Sequence, residues 1–327
     1  MTQATARAYP NIALVKYWGK ANEDLILPAA GSMSMTLDDF ATTTTVTLDE
    51  TDSFSLNGAE QGEAGASRVI AFLDLVRNFA RTAGLDTADQ NARVVSVNEG
   101  PTAAGMASSA SGFAALAVAA SSAYGLELSI RDLSRLARRG SGSASRSLVD
   151  RFAVWHAGDD QSSYAEEIPA PDMAMIAVPV ATGQKAVSSR KGMVATATTS
   201  PFYPAWVTST EEILKEMIGA CKDSDFTLVG EIAETHAMRM HAVIAASRPS
   251  IRYLSPTSLE VFDRIAQLRA DGIETYGTAD AGPNVFAITR PEHAEVVSER
   301  LRDLTKDGEA KVLRPGRGAH LVGDDAL

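Results

Sequence analysis

Residues 100–111, Gly-Pro-Thr-Ala-Ala-Gly-Met-Ala-Ser-Ser-Ala-Ser, join an alternating apolar stretch (92–98) to a run of small residues (about 108–124). The alternation predicts a strand and the run predicts a packed helix, with a glycine loop between them. A helix that starts with Ser and Ala offers unpaired N–H groups and little bulk, which suits a phosphate chain. The Lys-Ser/Thr pair of a nucleotide P-loop is absent, so a Walker-type NTPase is not supported. The alternative is that small residues merely allow tight helix packing.

A second glycine-serine stretch lies at 136–147 and reads Leu-Ala-Arg-Arg-Gly-Ser-Gly-Ser-Ala-Ser-Arg-Ser. Its short side chains and backbone N–H groups predict a concave anion cradle, to which Arg146 adds a forked cation. The stretch half-matches a dinucleotide fingerprint, but a predicted helix precedes it, so a Rossmann assignment is weak. A flexible loop is the alternative, although flexibility does not require flanking arginines.

The charge distribution points to a small anionic ligand. The 327-residue chain carries 30 basic and 41 acidic residues, a net charge of -11. Between positions 131 and 151, however, arginines outnumber acids. A local positive field within an acidic protein argues for one bound polyanion and against a nucleic-acid surface.

Several classes of protein are disfavoured by the composition. Cys221 is the single cysteine, which excludes an internal disulfide framework and fits a reducing cytoplasm. The N-terminus lacks a signal-peptide layout, and the uncharged stretch 100–126 is too rich in Ala, Ser and Gly for a membrane span. His236 and His241 are five apart, so we interpret them as packing or surface residues rather than metal ligands. No Gly-x-Ser-x-Gly nucleophile elbow occurs.

The order of predicted elements favours an α+β fold with two lobes and a site between them. Strands are predicted within 4–16 and at 41–48, 92–98, 152–156, 173–180, 274–278, 284–289 and near 310. Helices are predicted at 66–83, 108–124, 129–139, 208–221, 225–246, 257–271 and 291–304. Pro169-Ala-Pro171 suggests a boundary, giving domains 1–170 and 171–327.

Three further segments could contribute polar groups. Asn11–Lys20 (Asn-Ile-Ala-Leu-Val-Lys-Tyr-Trp-Gly-Lys) places two lysines and a tyrosine at a predicted strand end. The glycine-rich turn 276–284 carries Asp280, an acid that could orient or deprotonate a hydroxyl or could simply cap the turn. Residues 188–193 form a short basic loop, equally plausible as a phosphate contact or a solvated turn.

Together these segments resemble the diphosphomevalonate decarboxylase family of the GHMP kinase superfamily. The resemblance rests on 11–20, 101–111, 136–147, 187–193 and 280–284, which occur in the family's order. The Pro-x3-Gly-x2-Ser-Ser core identifies only the superfamily, whereas Lys-Tyr-Trp-Gly-Lys and Arg-Arg-Gly-Ser-Gly-Ser-Ala-Ser-Arg are specific to the decarboxylases. The implied fold is the two-lobed GHMP kinase fold, with an ATP-binding N-terminal domain.

The resemblance implies ATP-dependent decarboxylation of mevalonate 5-diphosphate to isopentenyl diphosphate, with release of CO2, ADP and phosphate. A tertiary hydroxyl is a poor leaving group, so ATP first phosphorylates it. Departure of that phosphate leaves positive charge at the carbon, and loss of CO2 supplies the electrons. ATP as co-substrate, Mg²⁺ and a homodimer in the cytoplasm are implied as well.

Catalytic roles are implied for Asp280, Lys16 and Arg146. Asp280 would face the C3 hydroxyl as base or orienting group, with Lys16 beside it to stabilise charge, and either could dominate proton removal. Arg146 would pair with the substrate carboxylate, and Asn11 would complete the pocket.

The binding residues implied by the resemblance fall into two sets. The substrate would be held by Asn11, Tyr17, Lys20, Ser141, Gly142, Ser143, Arg146, Ser189 and Arg190. ATP would be held by Pro101, Ala104, Gly105, Met106, Ala107, Ser108 and Ser109, with Ser108 also a candidate Mg²⁺ ligand.

Two alternatives stay open from the sequence. A related GHMP enzyme could phosphorylate or decarboxylate mevalonate or its monophosphate, although Tyr17, Lys20 and Arg190 favour a diphosphate. A non-catalytic phosphometabolite-binding protein would explain the anion cradles but would leave Asp280 without a role.

Overall fold

The structure is a computed structural model that describes residues 2–100, 108–181 and 186–323. Its strands are β1 (Gln3–Ala8), β2 (Asn11–Val15), β3 (Lys20–Asn22), β4 (Leu27–Pro28), β5 (Ser32–Thr36), β6 (Thr42–Asp49), β7 (Ser53–Leu56), β8 (Ala59–Glu60), β9 (Asn91–Asn98), β10 (Phe152–Trp155), β11 (Ala165–Glu167), β12 (Ala174–Val178), β13 (Thr275–Ala279), β14 (Val285–Thr289), β15 (Lys311–Leu313) and β16 (His320–Val322). Its helices are α1 (Glu63–Thr82), α2 (Ser108–Ala123), α3 (Ile130–Gly140), α4 (Ser189–Thr199), α5 (Tyr203–Lys222), α6 (Phe226–Ala245), α7 (Pro256–Ala270) and α8 (Ala294–Leu301). Short 3-10 helices cover Asp86–Asp89, Gly142–Leu148, Pro291–His293 and Arg302–Leu304.

A six-stranded sheet in the order β16-β1-β6-β9-β7-β8 forms one layer of the N-terminal half. Strand β6 begins with four consecutive threonines, which suit an extended backbone because they are β-branched. Their buried hydroxyls are paired: Thr44 Oγ1 lies 2.8 Å from Ser96 Oγ on β9, and Thr42 Oγ1 lies 2.8 Å from Ser111 Oγ on α2. The apolar sides of α1 and α2 cover this sheet, so α2 is an interior helix.

Two four-stranded sheets carry the remaining layers, in the orders β11-β10-β5-β2 and β13-β14-β12-β15. One hydrophobic cluster lies between them and includes Leu14, Phe152, Met175, Met217 and Phe226. These residues come from both halves of the sequence. The core therefore joins the strand that precedes Lys16 to the helices of the C-terminal half.

Helix α6 packs closely on β13. A Cβ atom at Gly230 of α6 would lie 2.0 Å from the ring of Tyr276 on β13, so only glycine permits this approach. Helix α6 also packs against β2. Helix α6 therefore contacts both β2 and β13.

The α+β class and most predicted elements are confirmed. Asn57 and Gly58, with φ of 50° and 76°, form the tight turn between β7 and β8. Ser255 caps α7 by accepting from the Ser258 N–H, with Pro256 in the first turn. The predicted segment 4–16 is two strands separated at Pro10, which has no N–H to donate.

Two local predictions are wrong. Residues 188–193, expected as a loop, begin α4: Ser188 is its N-cap and accepts from the Lys191 N–H. The helix predicted at 208–221 begins earlier, at Tyr203, with Pro204 in its first turn. Strand β5 was not predicted. None of the helices in the described ranges is both long and apolar enough to cross a membrane.

Candidate active site

An ion pair between Lys16 and Asp280 occupies the centre of the candidate site. Lys16 directly follows β2, and Asp280 directly follows β13. Lys16 Nζ donates to Asp280 Oδ1 at 2.7 Å and to the Ala13 carbonyl at 2.8 Å. The lysine side chain is 1% exposed and the aspartate side chain 29% exposed, so the carboxylate forms the solvent-facing side of the pair. Burial lowers the pKa of Lys16, and the Asp280 carboxylate opposes that shift.

Arg146 lies beside this pair and is held by neutral groups. Its Nε donates to Ser34 Oγ at 2.9 Å and to Asn11 Oδ1 at 3.1 Å, and its Nη1 donates to Ser32 Oγ at 2.6 Å. Burial lowers the pKa of Arg146 to about 10. No carboxylate within the described residues lies at ion-pair distance, so the guanidinium charge is available to an anionic ligand.

Asn11 links Arg146 to the glycine-serine cradle. Its amide donates to the Ser143 carbonyl at 3.0 Å and to Ser147 Oγ at 2.8 Å, while its oxygen accepts from Arg146. Because the oxygen and both N–H groups of this amide have partners, the side chain is fixed in one orientation. Asn11 therefore contacts both Arg146 and the 142–148 segment.

The cradle itself is the junction between α3 and the 3-10 helix 142–148. Ser141 Oγ lies 3.4 Å from Ser143 Oγ and 3.2 Å from Ser109 Oγ at the start of α2. A Cβ atom at Gly142 would lie 2.8 Å from Tyr17 Oη, so glycine is required for this close approach. The segment is a short helical turn and not a flexible loop, and Gly142 faces Tyr17.

Tyr17 and Lys20 form the side of the pocket next to the cradle. The Tyr17 ring contacts Trp155 edge-on, with centroids 4.8 Å apart. Tyr17 Oη is buried and has no hydrogen-bond partner within the described part of the protein. Burial raises the pKa of Tyr17, so the group is a neutral phenol that can donate to an anion. Lys20 forms an ion pair with Glu23.

Ser189 and Arg190 lie in the first turn of α4, and the charge of Arg190 acts on Tyr17. Arg190 is exposed and carries no ion pair among the residues that the structure describes. Burial lowers the pKa of Arg68, and the charge of Arg190 adds to that shift. Arg68 Nη2 donates to the Gly140 carbonyl at 2.9 Å, at the end of α3. Two arginines from different halves of the chain thus flank the cradle.

Part of the predicted ATP site lies outside the described residues. This applies to Pro101, Ala104, Gly105, Met106 and Ala107, and to the side chain of Ser108. Ser109 is described, and its hydroxyl faces Ser141. Elsewhere in the described ranges, no three His, Cys, Asp or Glu side chains gather into a group that could bind a metal ion.

Sequence reasoning missed several residues of this pocket. Ser32 and Ser34 were not singled out, although the Ser-Met-Ser-Met alternation at 32–35 is a strand signal with one polar face. Arg68 gave no signal, because a lone arginine on an amphipathic helix resembles a surface residue. His236 and His241 were interpreted as packing or surface residues, and both are buried.

Two family models match successive parts of the chain. The diphosphomevalonate decarboxylase-like N-terminal domain matches residues 8–165, and the mevalonate 5-diphosphate decarboxylase C-terminal domain matches residues 174–314. Diphosphomevalonate decarboxylase mvd1 of Aspergillus fumigatus is 36% identical over 324 residues, which cover 92% of this chain and 80% of the relative. The rat diphosphomevalonate decarboxylase is 37% identical over 311 residues, covering 87% and 76%.

Solved structures agree with these matches. Mevalonate diphosphate decarboxylase from Staphylococcus aureus superposes with a TM-score of 0.92 at 39% identity, covering 98% of each chain. The structure described as MDDEF in complex with MVAPP, AMPPCP and magnesium superposes with a TM-score of 0.91 at 45% identity, covering 98% of this chain and 99% of the other. This chain therefore belongs to the diphosphomevalonate decarboxylase family.

Proposed function

We propose that the pocket around Lys16, Arg146 and Asp280 carries out the reaction of this family. The chain is a carboxy-lyase of the mevalonate pathway: it converts mevalonate 5-diphosphate and ATP to isopentenyl diphosphate, CO2, ADP and phosphate. The observation that carries the assignment of the pocket is the buried guanidinium of Arg146, held only by neutral groups, beside an ion-paired carboxylate.

Asp280 acts on the C3 hydroxyl of the substrate. Lys16 Nζ donates to Oδ1 of Asp280, which leaves Oδ2 to accept the hydroxyl proton. As this proton is removed, the hydroxyl oxygen of the substrate attacks the γ-phosphate of ATP. The bond between the γ-phosphorus and the bridging oxygen breaks, and ADP leaves. The buried ammonium of Lys16 offsets negative charge that gathers during this transfer.

Arg146 binds the substrate carboxylate and holds it for the second step. The C3–O bond then breaks, and phosphate leaves with the electron pair. The C–C bond to the carboxylate breaks next, its electrons form the new double bond, and CO2 departs. Ser32, Ser34 and Asn11 fix the guanidinium, so the carboxylate is oriented before the bond breaks.

The diphosphate of the substrate lies in the cradle. Ser141, Gly142 and Ser143 supply backbone N–H groups and hydroxyls, and Tyr17 supplies a phenol without a protein partner. Lys20 and Arg190 add positive charge, with Ser189 at the start of α4. Arg68 extends this basic flank beyond the residues expected from the sequence.

Magnesium accompanies an ATP analogue in the related MDDEF structure, and here it would be bound together with ATP. Magnesium in such sites keeps several waters and binds one or two carboxylates together with substrate phosphates. Ser108 is our candidate hydroxyl ligand, and the nucleotide phosphates and waters would supply the other ligands. Bound there, the ion would neutralise phosphate charge.

The experiment that tests this function is ADP release measured side by side with mevalonate, its 5-phosphate and its 5-diphosphate. Of the three substrates, we expect only the 5-diphosphate to be turned over. One CO2 should be released for each ADP. A stable phosphorylated product without CO2 would support a kinase. Binding without ADP release would support a phosphometabolite-binding protein.

We further propose that the protein is a homodimer and that it is located in the cytoplasm. Each chain would be divided into domains 1–170 and 171–327. The reading of the single cysteine, Cys221, as suited to a reducing compartment supports the location. The two family models meet between residues 165 and 174, which supports the boundary. Sedimentation equilibrium of the purified chain tests the dimer, and a monomer mass at all concentrations would exclude it.

A further inference from the structure

Two histidines of α6 hold the backbone on both sides of the central ion pair. The backbone N–H of Lys16 donates to Nδ1 of His236 at 2.9 Å. Nε2 of His241 lies 3.4 Å from the carbonyl oxygen of Ala279, the residue before Asp280. Both histidines are buried, and both approach main-chain atoms rather than the ionised groups.

The hydrogen bonds of His236 define one tautomer. Because Nδ1 accepts from an amide, it carries no proton, and the ring proton lies on Nε2. Nε2 is 3.2 Å from Thr210 Oγ1, which itself donates to the Trp206 carbonyl at 2.7 Å. The ring also stacks on Trp206, with centroids 4.6 Å apart. Each polar atom of the imidazole therefore has a defined partner.

Helix α5 fixes the same backbone segment at a second point. Trp206 Nε1 donates to the Trp18 carbonyl at 2.9 Å. The segment that bears Lys16 and Tyr17 is thus held by both helices. Helix α6 holds the N–H of Lys16, and α5 holds the carbonyl of Trp18, two residues later. Its position is set by the C-terminal half, which also bears Asp280.

The surroundings keep both imidazoles neutral. Burial, together with the charges of Lys16 and Arg239, lowers the pKa of His236 to about 3. Burial and Lys16 also lower the pKa of His241, to about 4, with the carbonyl of Ala279 opposing the shift. A proton on Nδ1 of His236 would remove the acceptor for the Lys16 amide, so neutrality is a condition of this contact.

We propose that His236 and His241 are positioning residues, which align Lys16 and Asp280 by holding the main chain beside each of them. The inference rests on the proposed roles of Lys16 and Asp280 in the reaction. It differs from a packing role because it requires an acceptor at Nδ1 of His236 and a donor at Nε2 of His241. A side chain of the same volume that lacks these groups would not hold the main chain in this way.

Substitutions that separate polarity from volume test this inference. His236→Leu removes the acceptor, whereas His236→Asn retains an oxygen near the position of Nδ1. We expect kcat to fall roughly 10²-fold in His236→Leu, the scale of a 1 Å misplacement, and to recover most of this loss in His236→Asn. KM for ATP should change little in either variant. In the same way, His241→Gln keeps a donor, so its kcat should exceed that of His241→Leu. His156→Leu is the matched control, since His156 lies outside the pocket and pairs with Glu166.

A wild-type kcat in folded His236→Leu, or equal losses in the Leu and Asn variants, would overturn the inference. Absence of CO2 release by the wild-type enzyme would instead contradict the proposed function. A readout independent of activity and of variant folding is ¹⁵N NMR of histidine in the wild-type enzyme. We expect His236 to show an unprotonated Nδ1 and a protonated Nε2 at neutral pH. A proton on Nδ1 would overturn the inference whatever the activity.

Discussion

Lys16 Nζ and Asp280 Oδ1 lie 2.7 Å apart although 264 positions separate the two residues in the chain. The ammonium is buried and the carboxylate is partly exposed, so the pair faces the pocket with its negative member. A buried lysine without a partner is costly, because desolvation penalises the charged form. The pair is therefore both a structural contact and the site of the proposed proton transfer.

The first prediction concerns Asp280→Asn. The amide keeps the size of the side chain and loses the charge that accepts the hydroxyl proton. We expect kcat to fall by about 10³-fold or more, with substrate still bound. Coupled ADP release gives kcat, and calorimetry gives the dissociation constant of mevalonate 5-diphosphate.

The control for that measurement is Asp172→Asn, which removes an exposed carboxylate far from the pocket. Asp172 pairs with Arg151 at 3.3 Å, and its side chain is 83% exposed. We expect wild-type kcat in this control. Near-wild-type turnover in Asp280→Asn would remove Asp280 from the chemistry.

The second prediction concerns Arg146→Met. Methionine retains much of the volume but removes the charge assigned to the substrate carboxylate, and it leaves Ser32 and Ser34 without their donor. We expect kcat to fall by about 10³-fold or more, with weaker substrate binding. Rapid CO2 release by this variant would refute the role of Arg146. Arg81→Met, which alters an exposed arginine paired with Asp89, should behave as the wild type.

The fold was predictable where local chemistry and periodicity agree. The turn at Asn57-Gly58 and the cap at Ser255 follow from backbone preferences that neighbouring packing does not override. Helix α4 was missed because its first residues, Ser189 and Arg190, resemble a solvated turn. The capping contact from Ser188 and the packing of its later residues decide the helix.

The sequence names candidate site residues but not their arrangement. The family resemblance points to Lys16, Arg146 and Asp280, yet no spacing rule brings them to one pocket. Their convergence depends on a core shared by both halves of the chain. His236 could not be found in this way, because its partner is a backbone amide 220 positions away. A buried histidine on an apolar helix looks the same in sequence whether or not its nitrogens have partners.

The third prediction concerns Tyr17→Phe, which should separate stability from function. Tyr17 Oη is buried without a partner in the described part of the protein, so its removal should leave the melting temperature unchanged or raise it. If this hydroxyl donates to the diphosphate, its loss should raise KM for that substrate by about tenfold or more, the usual scale for a hydrogen bond to a charged group. Calorimetry and steady-state kinetics measure the two effects. A clear loss of stability with unchanged KM would show that the hydroxyl serves the fold, and Tyr164→Phe is the matched control.

The fourth prediction is that acid destabilises the protein through its buried histidines. The folded-state pKa values of His236 and His241 are lowered to about 3 and about 4, below the ordinary value of 6.5. Above that value neither the folded nor the unfolded state is protonated there, so these groups contribute no pH dependence. As pH falls below it, only the unfolded state gains protons, and the free energy of unfolding decreases. The effect ends once pH falls through the folded-state values.

Each histidine should contribute a slope that approaches about 1.4 kcal/mol per pH unit within this window. Urea denaturation from about pH 7.5 down to about pH 4.5 measures the slope. In His241→Gln one titrating group is absent, so the dependence should be shallower than in the wild type. An equal slope in the wild type and His241→Gln would mean that His241 does not stay neutral in the folded state.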